Sequence, residues 1–332
     1  MILVTGGTGL VGAHLLYKLS KTNDRLVALY RNENKKKTTQ EIFELHNAAS
    51  LFDKIIWKKA DVTDLPALEI AFDEITHVYH AAAMVSFSQK DQEQMRKTNI
   101  EGTANIVNLC ISRNLKKLCY VSSIATLSQN PGKPLMDENC EWNPEEDHSD
   151  YSLSKFGGET EVWRGSQEGL DVVIVNPGVI FGFGAWNINT GKLFNQIKKG
   201  LQFYTKGSTG VVDVLDVTEA MILLMNGSIK NERFVIVSEN LSFKDIFTLI
   251  ANKTGVKPPK FKIGKTVTEI MWRINNVLSV LTFGKFQMKI DKYSAKSAQK
   301  KRVYDGSKIT RDTEFRYTPF DKTIEEIASK LS

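Results

Sequence analysis

The stretch Met1-Ile2-Leu3-Val4-Thr5-Gly6-Gly7-Thr8-Gly9-Leu10-Val11-Gly12 decides the fold. Its first five residues are mostly apolar and read as a buried strand. A helical spacing begins at once in Leu10, Val11, His14, Leu15, Lys18 and Leu19. Between the two stand Gly6, Gly9 and Gly12. A strand that turns through spaced glycines into a helix cradles nucleotide phosphate. The first glycine permits the tight turn, the second lets backbone approach a pyrophosphate, and the third lets helix and strand pack closely, with the helix N-terminus facing the anion. The expected contacts with a dinucleotide are Gly6, Thr8, Gly9, Leu10, Val11 and Gly12.

Outward from this turn, strands and helices alternate. Apolar runs predict strands at 1–5, 25–30, 54–59, 77–80, 117–122, 171–176 and 233–237. Helices are expected at 9–21, 38–50, 64–73, 89–113 and 151–167. Such alternation implies parallel pairing through right-handed crossovers, and near-continuous apolar strands imply helices on both faces. The fold class is α/β: a Rossmann-type doubly wound parallel sheet with a smaller, mixed α/β C-terminal region for substrate. Residues 1–176 are expected to form the dinucleotide-binding domain, to which 233–237 and a neighbouring helix return. Residues 177–332 are expected to be mainly substrate-binding, with a basic helical lid over 266–304.

The bulk composition agrees with a globular enzyme: 332 residues, 42% hydrophobic and 25% charged. The net charge of +6 is uneven. Residues 253–332 hold 18 Lys and Arg against 8 Asp and Glu, while the preceding stretch is slightly acidic. A solvated lysine-rich surface is the favoured reading, with an acidic substrate or an anionic membrane surface as alternatives. Residues 266–283 are interrupted by Glu269, Arg273, Asn275 and Asn276, too polar and too short for a transmembrane segment. No aromatic-plus-basic interleaving points to nucleic acid. Cys110, Cys119 and Cys140 have no metal-ligand spacing, so no metal is expected, and buried free thiols are. A chain that opens on a core strand leaves no room for a signal peptide, and with free thiols the expected location is cytoplasmic.

Tyr151-Ser152-Leu153-Ser154-Lys155 places a tyrosine and a lysine on one face at the start of a helix. A phenol with a pKa of about 10 is a poor acid–base group at neutral pH. A neighbouring ammonium favours the phenolate and tunes it toward working pH.

With the glycine turn, this pair resembles the extended short-chain dehydrogenase/reductase family. Further marks are Ala60-Asp61-Val62-Thr63-Asp64, His80-Ala81-Ala82-Ala83, Thr98-Asn99-Ile100-Glu101-Gly102-Thr103, Asn176-Pro177-Gly178-Val179-Ile180-Phe181-Gly182 and Val212-Asp213-Val214-Leu215-Asp216-Val217. The resemblance implies hydride transfer between a nicotinamide and a carbonyl or alcohol carbon, with Tyr151 as proton donor. It implies that Lys155 holds the nicotinamide ribose and lowers the Tyr151 pKa. Asp61 and Val62 would meet adenine, Ala81, Ala82 and Ala83 would line the cofactor, and Pro177, Gly178, Val179 and Ile180 would hold the nicotinamide. The third catalytic member comes from the end of the fifth strand: Ser123 by register, with Ser122 as runner-up and as a backbone cofactor contact. Asn99 stands either for support of a water relay to Lys155 or for a helix-stabilising role.

The second strand ends Leu29-Tyr30-Arg31-Asn32, with Lys35, Lys36 and Lys37 behind it. An acid there would repel a 2′-phosphate, whereas Arg31 would pair with it, so NADP(H) is preferred over NAD(H). Arg31, the Met84-Val85-Ser86-Phe87 stretch and Val303-Tyr304-Asp305-Gly306-Ser307-Lys308 resemble the dihydroflavonol-reductase-like and 3β-hydroxysteroid-dehydrogenase-like branches. The segment Lys206-Gly207-Ser208-Thr209-Gly210 lacks the arginine common in nucleotide-sugar enzymes. A fairly apolar small-molecule ketone or aldehyde is the implied substrate, with Ser86, Phe87, Ser123, Phe183 and Trp186 as candidate contacts and Met271 and Trp272 among further aromatic or apolar wall residues. Two alternatives stand beside this reading: a nucleotide-sugar epimerase with tightly held NAD, and a non-catalytic NADP-binding sensor. Both a monomer and a homodimer, built on helices 89–113 and 151–167, stay open.

Overall fold

In the computed structural model the described residues are 1–23, 25–86, 88–130, 132–184, 186, 189–270 and 296–331. Seven strands form one parallel sheet: β1 (Ile2–Thr5), β2 (Leu26–Tyr30), β3 (Ile56–Lys59), β4 (His77–His80), β5 (Lys117–Val121), β6 (Val172–Pro177) and β9 (Glu232–Ile236). Their order is β9-β6-β5-β4-β1-β2-β3. The numbering skips two strands outside this sheet, β7 (Val179–Phe181) and β8 (Ser208–Asp213), which pair in parallel; Glu239–Ser242 joins β8 antiparallel.

Strand alternation sorts the core into two layers. Val4, Ala28, Tyr79, Cys119, Val173 and Phe234 face one side. They pack on Leu15, Leu16 and Leu19 of α1 (Leu10–Ser20), Phe43 of α2 (Lys36–Leu45) and Val217, Met221 and Leu224 of a helix over Val214–Asn226. Their strand neighbours Leu3, Val27, Val78, Leu118, Tyr120 and Val172 face the other side. There they meet Ile106, Val107 and Cys110 of α3 (Gly102–Ser112) and Val162 of α4 (Asp150–Gln167). Because both faces are covered, β2 and the first four residues of β6 are apolar on both of their alternating sets of side chains. A third cluster holds the C-terminal region together around Phe181, Phe194, Val211, Ile250, Phe320 and Ile324.

Two predicted helices differ in detail. The 89–113 segment is helix over Gln92–Arg96, one π-helical turn over Lys97–Glu101, and then α3. The expected helix over 266–304 does not run its length. Residues 265–270 are helical, 271–295 lie outside the described residues, and Val303–Tyr304 is a strand paired with Leu135–Met136. Tyr304 is drawn into that pairing because its N–H donates to Asn240 Oδ1 at 2.8 Å while its ring is buried beside Val235 and Val237. The lid expectation, with Met271 and Trp272, therefore falls outside the described residues. No helix of the described residues is long and apolar enough to cross a membrane.

A buried ammonium fixes the helix over Val214–Asn226 to β5. Lys117, at the start of β5, donates to the carbonyls of Leu224 (2.6 Å), Gly227 (3.0 Å) and Ile229 (2.6 Å). A cation there satisfies orphan carbonyls and complements the negative end of the helix dipole. Lys117→Met should destabilise the fold by about 2–3 kcal/mol, since it strips partners from buried carbonyls. Urea unfolding at pH 7 would measure it, and a change under about 0.5 kcal/mol would contradict this role.

Candidate active site

The sheet order reverses between β1 and β4, whose C-terminal ends carry the glycine turn and the 81–84 segment. In open α/β sheets such a switch point is where ligands bind. The glycine turn sits in it. Gly6 has φ +70°, and a Cβ there would stand 2.7 Å from the backbone of Ala81 and Ala82. A Cβ on Gly12 would overlap the Gly6 carbonyl oxygen. A Cβ on Gly9 would meet only that same oxygen, at 3.4 Å. Packing within the protein thus requires the first and third glycines. The second faces room that no other atom of the described residues enters within 4 Å, which fits a bound pyrophosphate. Gly9 also caps α1 without offering a side-chain acceptor to the helix's first N–H groups. Thr39 Oγ1 donates to Gly7 O at 2.9 Å and holds the turn from α2.

A chain of buried hydrogen bonds fixes the opposite wall. Ala82 N–H donates to Thr5 Oγ1 (3.1 Å), which lies 2.6 Å from His80 Nδ1. His80 Nε2 is 3.0 Å from Thr103 Oγ1, which donates to Asn99 O at 2.7 Å. Thr103 gives its proton to Asn99, so it accepts from His80 Nε2–H, and Nδ1 accepts from Thr5; one tautomer satisfies every member. Burial, aided by the charge of Lys155, lowers His80 to about 3 and keeps it neutral. Asn99 is 1% exposed, and its amide clamps Met84, accepting from its N–H at 2.7 Å and donating to its carbonyl at 2.9 Å. It also donates to Ser154 Oγ at 2.9 Å. Its side chain and carbonyl thus hold the 81–84 segment and α4 in register.

Tyr151 and Lys155 begin α4, whose N-cap Ser149 accepts from Ser152 N–H. Ser123 stands at the end of β5 in extended conformation. Its Oγ accepts from Ala125 N–H at 3.1 Å, which leaves its proton for the Tyr151 phenol. Burial raises the Tyr151 pKa, and the Ser123 bond partly offsets it. Lys155 is 2% exposed and donates to Tyr120 Oη and Val121 O, both at 2.7 Å. Burial lowers it to about 7, against the pull of Glu159. The sequence reading gave Lys155 the tuning of the phenol. In the structure the group that lowers the phenol is the hydrogen-bonding Ser123, while burial holds Lys155 itself below its ordinary value. An ammonium has three donors, and two are taken by the protein here.

Ser122 faces inward, donating to Glu159 Oε2 at 2.5 Å, while its N–H donates to Val175 O at 2.7 Å. Past the end of β2, Arg31 Nη1 is 3.2 Å from Asp61 Oδ2. Burial opposes ionisation of Asp61, but the Thr63 N–H and hydroxyl and Arg31 outweigh it and hold the carboxyl below its ordinary value. Val62 is buried, and its carbonyl accepts from Asn105 at 3.0 Å. Ala83 is exposed beside the partly buried Ala81 and Ala82. Pro177 ends β6, Gly178 N–H donates to Ile236 O at 3.0 Å, and Val179 and Ile180 enter β7.

The substrate candidates are not brought together. Phe87 lies outside the described residues. The Ser86 hydroxyl donates to Asp91 at 2.6 Å, and Trp186 is half-buried against the third apolar cluster. Phe183 is a core residue instead of a wall: it is 2% exposed, edge-on to His14, and its carbonyl is 3.0 Å from His14 Nε2. Sequence reasoning missed Tyr120, Ser154, Glu159 and Arg233. Glu159 continues the four-residue spacing of Tyr151 and Lys155, and Arg233 is a charge inside an apolar strand; these were the available signals.

The fold and these motifs are those of the extended short-chain dehydrogenase/reductase type, whose members are NAD(P)-dependent oxidoreductases and epimerases. The chain belongs to the NAD dependent epimerase/dehydratase family, whose model matches residues 2–236. It is 28% identical over 265 residues to a putative dihydroflavonol 4-reductase of Synechocystis sp., covering 77% of this chain and 73% of that protein. It is 24% identical over 286 residues to cinnamoyl-CoA reductase 1 of Petunia hybrida, covering 79% and 84%. The crystal structure of gox2253 superposes with a TM-score of 0.82 at 24% identity, over 99% of this chain and 97% of that one.

The histidines beside Phe183 give a stability prediction. Burial lowers His14 to about 3 and His46 to about 4. A histidine held neutral in the fold leaves the unfolded chain binding more protons below about pH 6.5, so stability present above that pH is lost as pH falls toward the folded values. The melting temperature should drop from pH 7 to 5, and His14→Gln should flatten that drop. Equal pH slopes in the two proteins, by differential scanning fluorimetry, would contradict it.

Proposed function

We propose that this chain is an NADPH-dependent reductase of a fairly apolar ketone or aldehyde. The observation that carries the reading is the Ser123–Tyr151 pair at the mouth of the switch-point crevice, with Lys155 one helical turn away. When bound, the nicotinamide supplies the hydride. A phenol raised by burial is protonated at neutral pH, so Tyr151 serves as donor to a developing alkoxide in the reductive direction. The Ser123 hydroxyl binds the same oxygen and fixes the carbonyl. The remaining Lys155 donor is available to a ribose hydroxyl. The names of the reductase relatives support the reaction class.

Arg31 supports NADPH over NADH. It is half-exposed at the end of β2, held beside Asp61, and Lys35 and Lys37 add exposed positive charge. Arg31→Gln should raise the KM for NADPH by about tenfold and leave that for NADH unchanged. Steady-state kinetics with both coenzymes would check it; equal effects on the two would remove the 2′-phosphate assignment.

The activity itself is tested by NADPH and NADH oxidation with aldehydes, aliphatic and aromatic ketones, ketosteroids and flavanonols. Turnover should require NADPH, and Tyr151→Phe should cut kcat by on the order of 10²–10⁴ while NADPH still binds. Silence across the panel with both coenzymes, together with NAD released on denaturation, would replace the reductase with the epimerase. Turnover indifferent to Tyr151→Phe would overturn the role of the phenol.

A further inference from the structure

One buried carboxylate beneath the site has no part in the proton transfer just described. Glu159 is 2% exposed. Its Oε2 accepts from Ser122 Oγ (2.5 Å) and Asn176 Nδ2 (2.9 Å), and at 3.0 Å it shares the single Thr126 hydroxyl proton with the Ser123 carbonyl. Its Oε1 accepts from Arg233 Nη1 (3.1 Å) and, more distantly, Trp163 Nε1 (3.4 Å). These partners come from four separate elements. Ser122 and Thr126 flank Ser123 at the end of β5, Asn176 precedes the Pro177–Gly178 turn, Trp163 is on α4, and Arg233 is on β9.

Two details show how far this hub reaches. Asn176 Nδ2 also contacts Ser123 O at 3.2 Å, and Thr126 Oγ1 donates to that carbonyl at 2.9 Å. The backbone of Ser123 is thus held by two groups that Glu159 itself holds. The amide of Asn176 cannot turn over without setting its oxygen against the carboxylate. That constraint outweighs the lack of a partner for its buried Oδ1 among the described residues. Arg233 in turn donates to the carbonyls of Glu138 (2.8 Å) and Cys140 (2.6 Å).

We propose that Glu159 is a positioning residue for the reaction: its single carboxylate locks the end of β5, the turn after β6 and Arg233 into one arrangement, sets where Ser123 stands against Tyr151, and places a negative charge one helical turn from Lys155. Replacing a buried ion by an apolar pair is often neutral for stability, so retention of so many partners points to placement of the site. The direction of the Lys155 shift agrees: the charge of Glu159 raises a pKa that burial depresses.

The proposal rests on the reductase reading only for its kinetic readout, so the primary test needs no substrate. NADPH affinity is measured by fluorescence from pH 5.5 to 9 for wild type, Glu159→Gln, Glu159→Asp and the double variant Glu159→Gln/Arg233→Met. Loss of binding with rising pH, as Lys155 deprotonates, should begin about one pH unit lower in Glu159→Gln, giving on the order of tenfold weaker binding at pH 7.5 and little change at pH 5.5. Glu159→Asp keeps the charge and should keep the wild-type pH midpoint; where turnover is measurable, its kcat should fall because the shorter arm no longer reaches every partner. The double variant removes the unpaired guanidinium and should reproduce the pH shift if Glu159→Gln does not fold. Uniformly weaker binding with an unmoved midpoint in the variant that folds would overturn the proposal and leave Glu159 a structural ion pair. Wild-type silence toward carbonyls would overturn the reductase reading without touching this result.

Discussion

The close approach of Gly6 to the backbone of Ala81 and Ala82 is the constraint on which the rest of the structure depends. It joins the ends of β1 and β4 where the sheet order reverses, and it tolerates no side chain. From that contact the glycine turn inherits its position over the crevice and α1 its direction. The Thr5–His80–Thr103–Asn99 chain then fixes the facing wall from within the core. Backbone contact and buried hydrogen bonds thus make one rigid wall from segments 75 residues apart. Rigidity matters because preorganised donors cost no rearrangement when charge develops.

Electrostatics within the site follow from burial more than from pairing. Desolvation is the largest influence on Tyr151, Lys155 and His80 alike, raising the phenol and lowering the two bases. The neighbouring charges then decide how far each group moves. Glu159 opposes the loss of the Lys155 proton, and Ser123 opposes the rise of the phenol. A tyrosine and a lysine at the right spacing are therefore not sufficient. What they do depends on a carboxylate one turn further along α4 and on a hydroxyl delivered from the end of β5.

The site was only partly legible. Tyr151, Lys155 and the glycines announce themselves because local geometry fixes their relation: one helical turn, or one strand–helix junction. Ser123 could be placed by counting from the end of β5. Phe183 misled as a pocket wall because an aromatic after the Pro177–Gly178 turn can face either way, and the packing of His14 and His46 turns it inward. The helix read through 304 failed at Val303–Tyr304 because a partner strand 168 residues earlier in sequence captured it. Glu159 and Arg233 looked like ordinary charges on a helix and a strand until the fold buried them together.

The sequence by itself determined the parallel α/β architecture, the nucleotide-binding turn and the Tyr–Lys pair. Each of these rests on short-range periodicity or on the conformational demands of a few adjacent residues. Tertiary structure alone decided the tautomer of His80, the partners of Lys155, the pairing of Arg31 with Asp61 and the carboxylate hub beneath Ser123. Those depend on which groups lose water together, and desolvation is a property of the packed chain that no local spacing encodes.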